Sequence, residues 1–538
     1  MAVTFKTPGV YIKEENAFPN AVVAVETAIP AFVGYTQQNT FDGQNLQNTP
    51  VQVTSMLEFE TYFGGAPKTT YTLAENDPKA DPPVDPDFFI GTQGYNLTAD
   101  AGTNFLLHTC MKWFFQNGGG TCYIVSVGTY GGTAVTPDFS LDPYNAGIAA
   151  LEKAMEPTML VIPDAVLFDA VQDDVKGANC YSLQGAMIDH CGKMKNRVAI
   201  LDVFDGFLAD GPTVTPIETF RNQVNSDFLD YSAAYYPWMN TTVIQAPEVS
   251  YQNVNSASIK VLQGICTNFI TANKLSDTLN TYVTAMASSS APAADGDKPA
   301  ADGDKPAPAD KGKPAAAAPT PDEINTVLNT AIADYKTVMG VILEKLNLLP
   351  PSAAMAGVYT SVDDTRGVWK APANVAMASV VSPSVIIDDG MQADLNAPLF
   401  GKAVNAIRSF TGEGILVWGA RTMDANSLDW RYISVRRTMI MLEQSVKFAA
   451  KAYVFEPNVK NTWVSVQSMI ENFLTNVWKQ GALAGSKPAD AFSVAVGLGA
   501  TMTAVDILEG IMRIQVKVAV SRPAEFIEIT FEQQMQKS

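Results

Sequence analysis

At 538 residues, with 47% apolar and only 17% charged, the chain is long enough for two or three domains with sizeable cores. The low charged fraction implies that much of the surface is covered, in part by copies of the chain itself. Lys and Arg number 36 against 55 Asp and Glu, and a net charge of −19 excludes non-specific nucleic-acid binding, which needs a basic surface to displace counterions. The charge is uneven: residues 401–538 carry 15 basic and 12 acidic side chains, whereas the first 400 residues carry 21 and 43. A near-neutral quarter on an acidic remainder implies different surroundings for the two parts.

The opening MAVTFKTPGVYIKEE has no basic stretch followed by an apolar run, so no secretion signal is expected. VQVTS (51–55), CYIVSVG (122–128), MLVIP (159–163) and RVAILDV (197–203) are short apolar runs that predict buried strands of a parallel or mixed sheet. Between them, Asn104–Gln116 and Tyr144–Met155 suit helices, and the acidic, Pro-rich stretch 75–87 suits an exposed loop. The segment 288–321 holds no aromatic or branched aliphatic residue and repeats AADGDKPA with a period of seven, a composition that cannot bury enough apolar surface to fold. Beyond it the apolar runs around 371–387 and 491–505 are interrupted by Pro, Asn, Ser or Gly, and neither is read as a membrane span. From Tyr432 to Tyr453, Val435, Met439, Leu442, Val446, Ala449 and Tyr453 fall on one face of a helix, with Arg437, Gln444, Lys447 and Lys451 roughly opposite. A second helix carries Trp463, Val466, Ile470, Phe473 and Val477. Two alternating strands close the chain: Met512, Ile514, Val516 and Val518 against Arg513, Gln515 and Lys517, then Ile527, Ile529 and Phe531 against Glu528, Thr530 and Glu532.

No catalytic constellation, cofactor site or metal site is expected. The chain has two histidines, His108 and His190, and lacks GxSxG, HExxH and a complete GxGxxG; GGAPKTT (64–70) has the wrong Gly-to-Lys spacing for a phosphate loop. His108, Cys110 and Cys122, or Cys180, His190 and Cys191, lack the paired spacing of a zinc knuckle. The five cysteines, with Cys266, read as core residues of a protein kept in a reducing cytoplasm rather than a disulfide framework. Asp202, at the end of a predicted strand without a partner histidine, reads as a turn residue.

Several longer motifs resemble the contractile tail sheath proteins of phages, phage-tail-like bacteriocins and extracellular contractile injection systems. TPGVYIKE (7–14) and AFVGYT (31–36) look like that family's opening arm, and GGGTCYIVSVG (118–128) and YYPWMN (235–240) like its central domain. The densest likeness lies in 350–374, FTGEGILVWGARTM (410–423), WRYISVRR (430–437), AYVFEPN (452–458) and SRPAEFIEITFEQ (521–533). The Ala/Pro/Asp/Lys-rich insertion departs from the pattern.

The resemblance implies an α/β fold: a central subtilisin-like α/β sheath domain plus a mixed α+β inner domain built from the N- and C-terminal segments, with strand-like terminal arms. The expected division is an arm at 1–37 packing with the C-terminal domain, an outer domain at 38–285 continued at 322–395, a disordered insertion at 286–321, and a tube-facing inner domain at 396–538. No Asp/His/Ser triad can be assembled from the motifs, so only the fold of a hydrolase would be inherited, and no enzyme activity. The family implies six-fold rings stacked around an inner tube, with baseplate and terminator or cap proteins as further partners, and without nucleic-acid contact or membrane insertion. It implies assembly in the bacterial cytoplasm into a phage tail, or into a released or membrane-anchored injection particle. Strand exchange between subunits would use Pro8, Val10, Tyr11 and Ile12 at one end and Ile527, Ile529 and Phe531 at the other. Arg437, Gln444, Lys447 and Lys451 are the tube-facing candidates. The competing expectation is a non-catalytic surface or adhesive structural protein.

Overall fold

The computed structural model describes residues 22–79, 84–130, 140–168, 171–172, 175–211, 214–289, 319–398 and 401–530. The chain divides into two units. The larger spans 28–361 and 372–431; the smaller takes its described residues from 22–27, 362–371 and 432–530.

A nine-stranded mixed sheet organises the larger unit, in the order Val375–Ala376, Gly414–Val417, Asn405–Phe410, Ser232–Tyr236, Val198–Asp202, Met159–Val161, Pro30–Thr36, Cys122–Thr129 and Val51–Val53. The six strands from Asn405–Phe410 to Cys122–Thr129 pair in parallel, and antiparallel strands close both edges. Strands covered on both faces need unbroken apolar side chains, which is why VAILD (198–202) and SAAYY (232–236) are buried at every position. Beside the sheet lies a second core. There, helices Ile259–Ala272, Leu279–Ser289, Pro321–Ala331 and Ala333–Leu346 pack with the antiparallel strands Tyr71–Glu75, Gln93–Ala99 and Phe88–Ile90 around Leu73, Leu97, Leu262, Ile324 and Tyr335.

The smaller unit is built on helices Ile433–Ala450 and Lys460–Lys479 and the antiparallel pair Phe492–Val496 with Ile514–Val518. Met441, Leu442, Val466, Ile470, Leu474 and Val494 form its core.

The expected boundaries move, and residues 362–371, expected in the outer domain, belong to the smaller unit, where Asp363 pairs with Arg437. Pro30–Thr36 is not part of an arm packing with the C-terminal domain but an inner strand of the large sheet, because Ala31, Phe32 and Val33 are fully buried between two parallel neighbours. Residues 401–431 belong to the larger unit, since Asn405–Phe410 pairs with Tyr235 and Tyr236. The insertion is shorter at each end. One helix runs to Ser289, and the next starts at Pro321, where Thr320 and Glu323 exchange side-chain and backbone bonds in a capping box.

Asp202 is no turn residue. It ends a buried strand, and its carboxylate accepts the Ser352 N–H at 2.8 Å and the Ser352 hydroxyl, at the start of helix Ser352–Arg366. Burial pushes its carboxyl up to about 7, against the two Ser352 bonds that act the other way. The folded state therefore holds the Asp202 proton more tightly than the unfolded chain. An unfavourable contribution is fully present above the folded pKa and fades as pH falls. Asp202→Asn copies the neutral acid in shape, and its carbonyl can accept the same N–H. The wild-type Tm minus the variant Tm is expected to fall as pH is raised from about 5 to about 8. A difference that stays constant over that range would contradict the assignment.

Candidate functional site

Helix Ile433–Ala450 begins where Tyr432 leaves an extended conformation, and its first three turns are buried almost all round. The reason is that two distant segments of the smaller unit lie on its supposedly polar face. Arg437 sends Nη1 to Asp363 Oδ1 at 2.9 Å and Nη2 to Asp363 Oδ2 at 2.6 Å, a two-pronged ion pair whose partners are 4% and 3% exposed. The same Nη2 donates to the Thr27 carbonyl at 2.9 Å, and the Thr27 hydroxyl donates to Asp363 Oδ2 at 2.6 Å. One helical turn pair further on, the Val25 N–H donates to Ser445 Oγ at 3.0 Å.

The tube-facing set is accordingly divided. Arg437 and Gln444 are buried, whereas Lys447 and Lys451 are exposed near the helix end, beside a half-exposed Phe448. A spacing argument places side chains on a face but does not say what covers that face.

At the C-terminal end, Ile514–Val518 forms the expected strand and pairs in register from Ile514 opposite Val496 to Val518 opposite Phe492. Its partner was not foreseen, because the 17 residues between the strands contain no tight-turn signal; FSVAV before Gly497 was the available one. The chain then runs past Leu483, with which Val520 bridges, and Ser521 donates to the Ala482 and Gly481 carbonyls. Beyond Ser521 the segment has no strand partner among the described residues. The Tyr432 hydroxyl bonds Glu525 at 3.0 Å, while Phe526, Ile527 and Ile529 stand 69–78% exposed. Further apolar side chains project from the same unit, with Phe455 fully exposed at a φ of 72° in the turn after the first helix, and Leu508 exposed before the last strand. Pro8, Val10, Tyr11, Ile12 and Phe531 lie outside the described residues.

The histidine and cysteine clusters serve packing. His108 bonds Glu60 at 3.2 Å, His190 lies 3.3 Å from the Arg197 guanidinium, and burial with that cation lowers His190 to about 4. All five thiols are buried and free, and among the described residues no three His, Cys, Asp or Glu side chains converge as a metal site. Among those residues, too, no helix is long and apolar enough to cross a membrane.

Among the described residues, the smaller unit thus carries a two-stranded sheet and, after Ser521, a segment with exposed apolar side chains. Residues 425–534 match the family model of the phage tail sheath C-terminal domain. The tail sheath protein of Vibrio phage KVP40 is 26% identical over 164 residues, which cover 30% of this chain and 24% of that one; that of Salmonella phage ViI is 25% identical over 144 residues, 27% and 23% of the two chains. The matched region thus spans about a quarter of these curated relatives. Over its full length the fold resembles a chain of the anti-feeding prophage helical sheath in the contracted state, at 26% identity and a TM-score of 0.56, covering 99% of this chain and 100% of the other. A chain of the six-fold symmetrised anti-feeding prophage baseplate is similar at 27% identity, with the same coverage and TM-score. The chain is thus similar to contractile tail sheath proteins along its length, and its residues 425–534 match the C-terminal domain of that family.

Breaking the clamp tests whether it holds the unit together. Arg437→Met leaves the Asp363 carboxylate buried without its cation, and a loss of about 3–5 kcal/mol in denaturant unfolding is expected. Arg437→Met with Asp363→Leu should recover much of that loss, because neither charge then remains buried. A single variant within about 0.5 kcal/mol of wild type would show that the clamp is dispensable.

Proposed function

We propose that the chain polymerises as six-fold rings stacked around an inner tube and that the resulting sheath shortens to drive the tube through a target envelope. One observation carries this reading: the segment after Ser521 leaves Phe526, Ile527 and Ile529 uncovered, in a unit whose two-stranded sheet gains no third strand among the described residues. An extended apolar segment and an open edge on the same chain are complementary between copies. Main-chain bonds contribute about 1 kcal/mol each, and each large apolar side chain about 1.5–3 kcal/mol once buried. Pro8, Val10, Tyr11 and Ile12 would form the matching N-terminal arm, with Ile527, Ile529 and Phe531 at the other end. The larger unit is read as the subtilisin-like sheath domain, in the fold sense only. Its two histidines are engaged with Glu60 and Arg197. Partners are further copies of the chain, an inner tube, a baseplate and a terminator or cap. The particle is a phage tail or an injection device assembled in a bacterial cytoplasm.

Exposed cations suit the grip on a tube that must later let go: they set register, are weak singly in water and separate without exposing a buried apolar surface. Lys447 and Lys451 fill that role in this reading, with Arg437 and Gln444 removed from it by their burial.

Electron microscopy of particles separates these assignments. Removal of residues 522–538 is expected to leave a folded chain that forms no long striated tubes, and normal-length sheaths from that variant would refute strand exchange. Lys447→Glu with Lys451→Glu is expected to keep the fold and the ability to polymerise but to shift particles from extended to contracted or tube-free sheath. Each contact contributes only about 0.5 kcal/mol, yet the sum over many subunits decides the balance. Wild-type proportions of extended particles would place the grip elsewhere.

A further inference from the structure

In the large sheet the chain runs from Pro30–Thr36 to Cys122–Thr129 on one side, then crosses back through helix Leu141–Ala150 to Met159–Val161 on the other side and continues outward to Val198–Asp202 and Ser232–Tyr236. The direction of winding thus reverses at the inner strand Pro30–Thr36. In open α/β sheets the crevice outside the carboxyl ends of the strands at such a reversal is where ligands are held. Here that crevice is bounded by Tyr35 at the end of one strand, by the residues after Val161, and by the start of helix Leu107–Gln116.

Hydrogen-bond donors converge on it. Helix Leu107–Gln116 has no side-chain cap, since its leading residue is Leu106. Its first free amides point instead at Asp164: the Leu106 N–H donates to Oδ1 at 2.7 Å, and the Leu107 N–H also bonds this carboxylate. From two other elements, the fully buried Tyr144 donates its hydroxyl to Oδ2 at 3.0 Å, and the Tyr35 N–H reaches Oδ2 at 3.4 Å. Asp164 itself has no exposed surface. Three amides and a hydroxyl from separate segments around one carboxylate form the arrangement by which helix N-termini and turns bind anions. The space is also sized to that group: a Cβ at Gly34 would stand 2.9 Å from Asp164 Oδ2 and 3.0 Å from the Leu107 side chain.

We propose that this crevice is an anion-binding site whose resident ligand is the chain's own Asp164 carboxylate, and that it accepts a free small carboxylate only when that side chain is removed. The position at which related architectures hold a dissociable ligand has become an internal tie. It joins the end of the inner strand, the next helix and helix Leu141–Ala150, without a ligand that could be lost when the subunit is loaded. The carboxyl is raised to about 6 by burial, with the four donors opposing that rise, so at about pH 8 it is the anion that is held.

The test uses the purified full chain at about pH 8. Asp164→Gly is expected to lower Tm by roughly 5–10 °C. Sodium formate, compared with sodium chloride at equal ionic strength, is expected to restore most of the loss along a saturating curve. Wild-type protein, whose crevice is filled, should respond equally to the two salts. Asp164→Asn fills the space with a group that carries its own donors, so it should lose stability at this pH and gain nothing specific from formate. Equal responses of Asp164→Gly to formate and chloride would overturn the proposal, as would a wild-type Tm for Asp164→Asn. If Asp164→Gly yields no folded protein in either salt, the Asp164→Asn melt decides: a loss supports the anion site and an unchanged Tm refutes it.

Discussion

The buried pair of Arg437 and Asp363 is the constraint on which the smaller unit depends. Its two charges are almost wholly removed from water, which would be costly if any donor or acceptor were left over. Both guanidinium arms are used, and the Thr27 carbonyl and hydroxyl complete the set. The three participants come from residues 22–27, 362–371 and 432–530, the three separate visits the chain makes to this unit. A hydrophobic contact would hold those visits together without fixing their register. A forked guanidinium does both, because it accepts its carboxylate in one geometry.

Fixing that register has a consequence for assembly. Val25 is tied to Ser445 and Ser521 to Ala482, so residues 22–27 and the segment from Ser521 are both anchored within the smaller unit. The apolar side chains that the unit leaves uncovered, Phe526, Ile527 and Ile529 above all, are in the proposed reading the joints between copies. In the larger unit Asp164 and Asp202 act comparably. Each sits just beyond or at the end of a parallel strand and satisfies the start of a helix, Leu107–Gln116 or Ser352–Arg366. The second of these helices carries Asp363 in its last turn.

Much of this was legible in the residues. Val198–Asp202 and Cys122–Thr129 were visible as apolar runs because a strand covered on both faces has no freedom to alternate. The helices at 433–450 and 460–479 followed from their spacing, and the likeness to tail sheath proteins from motifs spread over the chain. What failed was everything set by residues far apart in sequence. Arg437 sits among polar neighbours on a helix wheel, and only the return of residues 22–27 and 362–371 buries it. Pro30–Thr36 looked like part of an arm because nothing local says that strands 90 and 130 residues later will flank it. Asp202 read as a turn residue because the Ser352 amide it satisfies lies 150 residues away.

The central claim is that residues 522–530, uncovered in the single chain, become a paired strand in the sheath. Hydrogen exchange of those amides, compared between unassembled chain and assembled sheath, tests it most directly. The account predicts fast exchange before assembly and slowing on the order of 100-fold or more afterwards, with the amides of Ile514–Val518 slowing alongside. Equally fast exchange of residues 522–530 in the assembled sheath would contradict it.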